Sequence, residues 1–337
     1  MEKSTNENDP ILRDFFVTKD DLIFSVPDYC HPKEGIRAVL RYIPDENGPR
    51  VRKSTGKRYR KAGFEESFDF LRENYPTWVF DVAVVPRSEI IEFLKPGDVV
   101  KDILSGKREN PAALELIRRF KEAGISENSM GISGSILPGL ENDESDIDFL
   151  VYGEDWQKAK EILAAMKKED SEEKIGSDTP YRISELDENM WRTVYQKRKS
   201  PFSFDVFMAH EIRKGNRGMF VVDSGKNVYF DLLFARSQNQ IKAPIQRGID
   251  TEKIVIEATV TNDDFAFDSP AIYLIDHAEI DEIYSYTHTY AGQARKGEKI
   301  RARGIVEVIG DKKRLVIGTT REAEDEWMIS LSLLDES

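Results

Sequence analysis

The chain has 337 residues, of which 39% are hydrophobic and 33% are charged, and this composition supplies enough apolar side chains for folded cores. Because domains usually contain about 100–200 residues, the length predicts two or three of them. The net charge of −13 repels nucleic acid at long range, so a polynucleotide partner would need a local basic patch.

The sequence also argues against a disulfide-stabilised or cysteine-rich zinc protein and against a membrane-spanning one. Cys30 is the one cysteine, so neither an intramolecular disulfide nor a cysteine-rich zinc site can form, and the four histidines show no metal-ligand spacing. No apolar run reaches the roughly 18–20 residues of a membrane span. The polar first ten residues do not resemble a signal peptide, and a cytoplasmic location is expected.

Residues 11–105 are predicted to form an N-terminal α+β domain. Strand-like runs at 21–26 and 36–43 precede a helical stretch at 65–74. Residues 50–61 contain no acidic residue, which distinguishes them in so acidic a chain. They are either a basic hairpin that binds the phosphate backbone of RNA or DNA, or an ordinary basic surface loop.

Residues 106–240 are predicted to form the central domain. A helix starts at Pro111 and ends before Gly124, and a strand is expected at 146–152. Helices are then predicted at 155–168, 186–197 and 204–214. A β-hairpin follows, with strands at 219–222 and 228–234 around a turn at 223–227.

Residues 241–337 are predicted to form a small β-barrel, similar to an OB fold. Its strand-like runs lie at 253–260, 271–275, 283–290, 299–308 and 314–319. Tyr284, Tyr286 and Tyr290 alternate as on a strand, and would either stack nucleic-acid bases on one face or pack within the domain. The acidic residues at 322–326 are interpreted as a solvated stretch.

Chemistry is concentrated between Gly134 and Asp148. Asp146 and Asp148 are two residues apart, so on a strand their carboxylates share one face. Such carboxylates repel each other unless a cation neutralises them, and Mg²⁺ prefers carboxylate and phosphate oxygens. Before them, Gly134 allows backbone N–H groups to approach a triphosphate, and Ser135 adds a hydroxyl donor.

This segment resembles the signature of the DNA-polymerase-beta-type nucleotidyltransferase superfamily. Gly134-Ser135, the spacer and Asp146-Ile147-Asp148-Phe149 match the signature, whereas Ser133 stands where the family has a hydrophobic residue. The order and context also resemble archaeal predicted nucleotidyltransferases. The resemblance implies a mixed sheet flanked by helices, a nucleoside triphosphate substrate, and two Mg²⁺ ions, with Mn²⁺ as an alternative. It also implies a third carboxylate on a neighbouring strand.

Two residues are candidates for that third carboxylate. Asp231 lies in a run typical of a buried strand and is favoured, while Asp205 lies at a strand or helix start. Lys214 and Arg217 are candidates for binding the triphosphate, or else are basic residues near a helix end. Arg236 is a weaker candidate of the same kind.

The sequence thus predicts an α+β multidomain enzyme that transfers a nucleoside monophosphate from a triphosphate, with Asp146, Asp148 and Asp231 as metal ligands. The acceptor is left open between nucleic acid, protein and a small molecule. Binding of nucleic acid would use residues 50–61 and the C-terminal domain. The alternative is a non-catalytic nucleic-acid-binding protein that retains a degenerate nucleotidyltransferase domain.

Overall fold

The computed structural model describes residues 9–172, 181–222, 227–318, 323 and 325–335. Within them the chain has an α+β fold with three β-sheets. The α-helices are α1 (Phe64–Asn74), α2 (Pro96–Leu104), α3 (Pro111–Glu122), α4 (Asp155–Glu172), α5 (Glu188–Arg198), α6 (Phe204–Lys214) and α7 (Leu331–Asp335). In this part of the chain no helix has both the length and the apolar composition that crossing a bilayer requires.

The strands follow the same chain order. Those of the first sheet are β1 (Phe15–Thr18), β2 (Ile23–Ser25), β3 (Ile36–Pro44), β4 (Arg50–Val51), β5 (Arg58–Lys61), β6 (Ala83–Val85) and β7 (Ile90–Leu94). Those of the second are β8 (Met130–Ile132), β9 (Ile147–Tyr152), β10 (Tyr181–Ser184), β11 (Arg217–Val222) and β12 (Val228–Ala235). Those of the third are β13 (Ile249–Phe265), β14 (Ala271–Asp276), β15 (Glu282–Ser285), β16 (Lys299–Ile309), β17 (Lys312–Ile317) and β18 (Trp327–Ser330).

The first sheet has the order β4-β5-β3-β2-β1-β7, with β6 also paired to β3. Its core contains Phe16 and Phe24, whose rings stack with centroids 5.2 Å apart. Strand β3 has an irregular register with β2, because Ile23 pairs with Tyr42 while Phe24 pairs with Leu40. Arg41 is therefore an extra residue in β3, which is the definition of a β-bulge.

The second sheet is the predicted mixed sheet, with the order β10-β11-β12-β9-β8. Strands β12 and β9 run parallel and the other neighbours antiparallel. Helices cover one face, because Phe120 of α3 stacks on Phe149 and Trp156 of α4 contacts Phe234 edge to face. Since side chains alternate along a strand, Asp148 lies on the opposite face.

Helix α3 shows why the local signals predict helix bounds well. The side chain of Asn110 accepts a hydrogen bond from the backbone N–H of Ala113 (3.0 Å) and Pro111 occupies the first turn. The helix ends before Gly124, whose φ of 85° belongs to the left-handed region. The predicted turn at 223–227 falls largely on residues 223–226, which lie outside the described residues.

The chain divides into two compact units whose limits differ from those of the three predicted parts. The first contains Met1–Ser184 and Arg217–Pro244, and the second contains Glu185–Asn216 and Ile245–Ser337. Residues 11–105 and most of 106–240 thus share one unit, while α5 and α6 belong to the unit of the β-rich C-terminal part. Contacts that hold α6 there include Arg213 with the backbone of Gln293 and His210 with the backbone N–H of Ser330.

In the second unit the strand pairings form a ring. The order is β13-β14-β15-β17-β16, and β13 pairs again with β16. Strands β15 and β17 run parallel and the remaining neighbours in the ring are antiparallel. Buried residues of these strands, among them Tyr273, Ile283 and Leu315, form one core.

Two expectations for this unit are wrong in part. The alternative that the tyrosines pack within the domain is confirmed for Tyr290, and Asp325 of the acidic stretch is exposed, while Glu322 and Glu324 lie outside the described residues. The strand expected at 283–290 ends at Ser285, and Tyr290 is buried in the core, so the three tyrosines do not form one face. The rings of Tyr284 and Tyr286 are covered by the guanidinium groups of Arg314 and Arg247. Glu326 is not solvated, because it is 3% exposed and accepts a hydrogen bond from the backbone N–H of Gly318.

Candidate active site

Two of the three predicted carboxylates lie side by side on the second sheet. Asp148 of β9 is the register partner of Asp231 of β12 in a parallel pair. On the other side of β9, the backbone N–H of Ser133 donates a hydrogen bond to the carbonyl of Asp148 (2.9 Å). Asp146 directly precedes β9 and is exposed. Because residues two apart share a strand face, Asp146, Asp148 and Asp231 are directed to the same side.

Gly134 lies against the carboxylate of Asp148. Its φ is 64°, a conformation that disfavours residues with a side chain. A Cβ atom at this position would overlap Oδ2 of Asp148. The glycine therefore serves two needs, since it permits the turn after β8 and leaves the space that the carboxylate occupies.

Ser135 is the next residue of this turn. It is 8% exposed, and its hydroxyl has no hydrogen-bond partner among the described residues. A buried hydroxyl without a partner carries a desolvation penalty. A partner for this hydroxyl would therefore come from outside the described residues, as a bound ligand would.

The environment of Asp148 raises the pKa of its carboxyl to about 7. Burial is the largest cause, and the negative charges of Asp146 and Asp231 act in the same direction, whereas Arg13 and Arg41 oppose them. Both effects penalise the ionised form. A cation placed among the three carboxylates would remove the repulsion and keep Asp148 ionised.

Asp231 is held by two donors. Nε of Arg217 lies 3.0 Å from its Oδ1, and the hydroxyl of Tyr229 lies 2.6 Å from the same oxygen. Oδ2 has no hydrogen bond among the described residues. The two bonds orient the carboxylate through one oxygen and leave the other for a ligand or a proton.

The remaining candidates occupy different surroundings. Lys214 lies in α6 of the second unit, where its ammonium group is buried and 2.5 Å from Glu211. Asp205 lies in the first turn of the same helix and not in a sheet. Arg236 follows β12, is buried, and places its guanidinium over the ring of Tyr29 at 5.2 Å.

The loop between Ser135 and Asp146 is held by basic residues that precede it in the chain. Nη1 of Arg50 donates to the carbonyl of Leu140 (2.6 Å), and Nε of Arg52 donates to that of Pro138 (3.2 Å). Both arginines belong to the run at 50–61, for which the sequence leaves two interpretations, a nucleic-acid-binding hairpin and a basic surface loop. In the structure these two side chains bind protein carbonyls, which no local pattern in the sequence indicates.

The donor set fits a hard divalent cation in its chemistry. It consists of carboxylate oxygens alone, which are ligands that Mg²⁺ prefers. Within the described residues, no three acidic, histidine or cysteine side chains form a ready-made metal cage. Mg²⁺ is usually held by one or two carboxylates together with phosphate oxygens and water, so Asp146 and Asp148 beside the Gly134 turn suffice as protein ligands.

The comparisons with known proteins agree with this geometry. The profile of the nucleotidyltransferase domain matches residues 113–188, which include Gly134 and both Asp146 and Asp148 but end before Asp231. An uncharacterized protein of Methanocaldococcus jannaschii is 35% identical over 347 aligned positions, which cover 94% of this chain and 98% of the relative. No solved structure matches the chain.

The mixed sheet, its carboxylates and these matches define the class of proteins that contain a nucleotidyltransferase domain. The chain belongs to the nucleotidyltransferase superfamily of the DNA-polymerase-beta type. The resemblance identified from Gly134-Ser135 and the two aspartates is thereby confirmed.

Proposed function

We propose that this protein is a metal-dependent nucleotidyltransferase that moves a nucleoside monophosphate from a nucleoside triphosphate to an acceptor. The observation that carries the proposal is the pairing of Asp148 with Asp231 across β9 and β12, with Gly134 against the Asp148 carboxylate. A degenerate domain would have no need to keep three like charges on one face of a sheet, because their repulsion destabilises the fold.

In the proposed reaction an acceptor oxygen attacks the α-phosphorus, the bond to the β-phosphate breaks, and pyrophosphate leaves. Asp146, Asp148 and Asp231 would hold Mg²⁺, which would supply charge neutralisation for the phosphates. Oδ2 of Asp231 takes the proton of the acceptor hydroxyl. Arg217 and Tyr229 keep that carboxylate in position.

The turn at Gly134 and Ser135 is proposed to bind the phosphates. Its backbone N–H groups and the unpartnered Ser135 hydroxyl are suitable donors for phosphate oxygens. Arg217 lies at the site through Asp231 and is kept as a phosphate-binding candidate. Lys214 stays a prediction of the same kind, and its ion pair with Glu211 argues for a structural role.

The ring of strands in the second unit is proposed to be an OB-like barrel. The order β13-β14-β15-β17-β16-β13, with only β15 and β17 parallel, is what a five-stranded Greek-key barrel requires. Such barrels bind oligonucleotides on one face, so this unit is a candidate for acceptor recognition. Nucleic acid, protein and small-molecule acceptors all stay open.

The function is tested by incubating the protein with each α-³²P-labelled nucleoside triphosphate, Mg²⁺ and a cell extract. Wild-type protein should release pyrophosphate and label one class of product. Asp148→Asn should lower the rate on the order of 10³-fold, because several kcal/mol of charge stabilisation are lost. Thermal unfolding of the same variant shows whether the fold is retained.

A matched pair of variants tests the third carboxylate. Asp231→Asn should abolish turnover to a similar extent, whereas Asp205→Asn, in the first turn of α6, should leave it unchanged. Full activity of a folded Asp148→Asn variant would contradict the proposal. Salt-sensitive RNA binding that survives loss of Asp146 and Asp148, with no pyrophosphate release from any triphosphate, would favour the non-catalytic alternative.

A further inference from the structure

Four cations of the first sheet lack a carboxylate partner among the described residues. One is Arg58, which donates to the carbonyl of Gly48 (2.7 Å), and the other three are Arg41, Arg50 and Lys61. The hairpin of β4 and β5 is otherwise rich in ion pairs. The other basic residues of that hairpin show the contrast: Arg52 pairs with Glu92, Lys53 with Glu141, Lys57 with Asp21, and Arg60 with Asp45 and Glu66.

Strand register places two of these three side chains, those of Arg50 and Lys61, on one side of the sheet. Tyr42 is the register partner of Lys61, and Arg50 is that of Tyr59. Directly opposed residues share a sheet face, and so do residues two apart, which puts Arg50 and Lys61 together. The bulge at Arg41 breaks the alternation of β3, and a bulge of this kind redirects a side chain.

The three cations act on one another and on the aspartates. Desolvation of the ammonium group and then the charges of Arg41 and Arg50 lower the pKa of Lys61, while Asp146 and Asp148 partly offset this effect. Lys61 is nevertheless exposed and Arg41 and Arg50 are half-buried, so a ligand can reach them. Like charges held together without a protein counter-ion favour an anionic ligand.

The position of the cations relative to the three carboxylates indicates which anion they meet. Nη1 of Arg50 lies 2.6 Å from the carbonyl of Leu140 and 3.5 Å from Oγ of Ser145, the residue before Asp146. Lys61 shares the sheet face of Arg50. In the proposed reaction Oδ2 of Asp231 takes the proton of the acceptor hydroxyl, whereas Asp148 lies against Gly134, in the turn that is proposed to bind the donor phosphates. The cations therefore lie on the donor side of the site.

We propose that Arg41 and Lys61 bind the β- and γ-phosphates of the nucleoside triphosphate, and that Arg50 positions the Gly134–Asp148 loop beside them. This inference rests on the proposed function and adds to it the cations that neutralise the donor. They come from the first sheet, about 85 to 105 residues before Asp146 in the chain. The first and second sheets of this unit would then build one active site.

The hairpin is a poorer site for the phosphate backbone of a nucleic acid. Four of its cations are already neutralised by protein carboxylates, and Arg50 and Arg52 bind carbonyls of the loop. Among the described residues of the hairpin, Arg50, Arg58 and Lys61 have no carboxylate partner, and three charges are few for the phosphate backbone of a long strand.

Isothermal titration calorimetry of the full-length protein tests the inference. The probes are the four ribonucleoside triphosphates, their monophosphates and inorganic tripolyphosphate, each with Mg²⁺. Arg41→Gln and Lys61→Gln should each raise the Kd of the preferred triphosphate and of tripolyphosphate by about 10- to 100-fold, as expected for charge-assisted hydrogen bonds. The Kd of the monophosphate should change less than about twofold.

Lys57→Gln is the matched control, because it removes the same charge from the same hairpin at a residue that is already paired with Asp21. It should leave all three affinities unchanged. Thermal unfolding should be the same for the three variants, since none of these side chains is in the core. An effect of Lys57→Gln equal to that of Lys61→Gln would overturn the inference, since it would reflect net charge alone.

Two further outcomes separate this inference from the proposed function. Wild-type protein that binds a triphosphate, with Arg41→Gln and Lys61→Gln binding it equally well, would overturn the inference and leave the function standing. If these variants instead lost affinity only for a labelled single-stranded RNA, the cations would serve a polynucleotide and the inference would again be wrong. Failure of the wild type to bind any triphosphate or tripolyphosphate would overturn both.

Discussion

Gly134 and the Asp148 carboxylate are adjacent in a way that leaves no space for a methyl group. Gly134→Ala is expected to lower activity on the order of 100-fold or more, because the new Cβ displaces the Asp148 carboxylate and misplaced catalytic groups cost rate steeply. The left-handed backbone adds an independent cost to folding of about 1–2 kcal/mol. Turnover and the free energy of unfolding of the purified variant measure the two effects.

Gly106→Ala separates these contributions. Gly106 has a φ of 76°, and nothing lies within 4 Å of the position its Cβ would take. This control should lose stability to a similar degree and keep full activity. Equal activity of Gly134→Ala and Gly106→Ala would show that the contact with Asp148 has no catalytic consequence.

Individual residues of the site differ in how far the sequence could predict them. Gly134, Asp146 and Asp148 lie within fifteen residues of one another, so local spacing sufficed. Asp231 was favoured because a β-run surrounds it, and the structure makes it the register partner of Asp148. No local sequence pattern indicates that Arg41 belongs to the site, because its position depends on a bulge that forms only when β3 pairs with β2.

At the scale of elements, the sequence predicts the bounds of helix α6 correctly but not the unit in which the helix packs. Its bounds match the prediction because Ser203 caps the first turn and Gly215, with a φ of 67°, ends the helix. The apolar pattern of the helix indicates that one face is buried, but it does not indicate which strands cover that face. This is why α6 was placed with the central domain and yet packs in the second unit.

The contacts within helix α6 lead to a prediction about Lys214. Its buried ammonium group binds Glu211 and donates to the carbonyl of Thr289 (2.7 Å). Lys214→Met should therefore lower the free energy of unfolding by about 3–5 kcal/mol, since it removes one charge of a buried ion pair. Chemical denaturation followed by circular dichroism measures this change.

The double variant Glu211→Gln/Lys214→Met removes both charges and should recover much of the lost stability. Nucleotide affinity should be unchanged in any of these proteins that remains folded. A stable Lys214→Met variant with weakened triphosphate binding would instead support the original hypothesis that Lys214 binds phosphate. The two roles are thus separated by stability and affinity measured on the same protein.

At the scale of the whole molecule, neither compact unit is a continuous stretch of sequence. The chain leaves the first unit after Ser184, returns at Arg217, and leaves again after Pro244. Composition and turn signals place boundaries between neighbouring segments, and they do not reveal that a segment belongs with one much further along. The predicted boundary near residue 240 therefore separates α5 and α6 from the strands of their own unit.

This topology predicts how the chain can be divided. Strands β10 and β11 are antiparallel neighbours in which Ser184 pairs with Met219, so the two ends of the 185–216 segment emerge close together. Replacing residues 185–216 by a linker of about four residues containing Asn-Gly should convert the crossing into an ordinary β-hairpin. A protein of residues 9–184, this linker and residues 217–244 should fold cooperatively and bind a triphosphate.

A protein ending at residue 240 is the informative comparison, because it keeps 185–216 and lacks the strands of the second unit. It should unfold at a lower temperature or aggregate, since buried residues of α6 such as Phe207 and His210 lose the rest of their unit. Thermal unfolding and size-exclusion chromatography of both proteins provide the test. A more stable 1–240 protein would show that α5 and α6 belong with the nucleotidyltransferase sheet, as the sequence alone suggested.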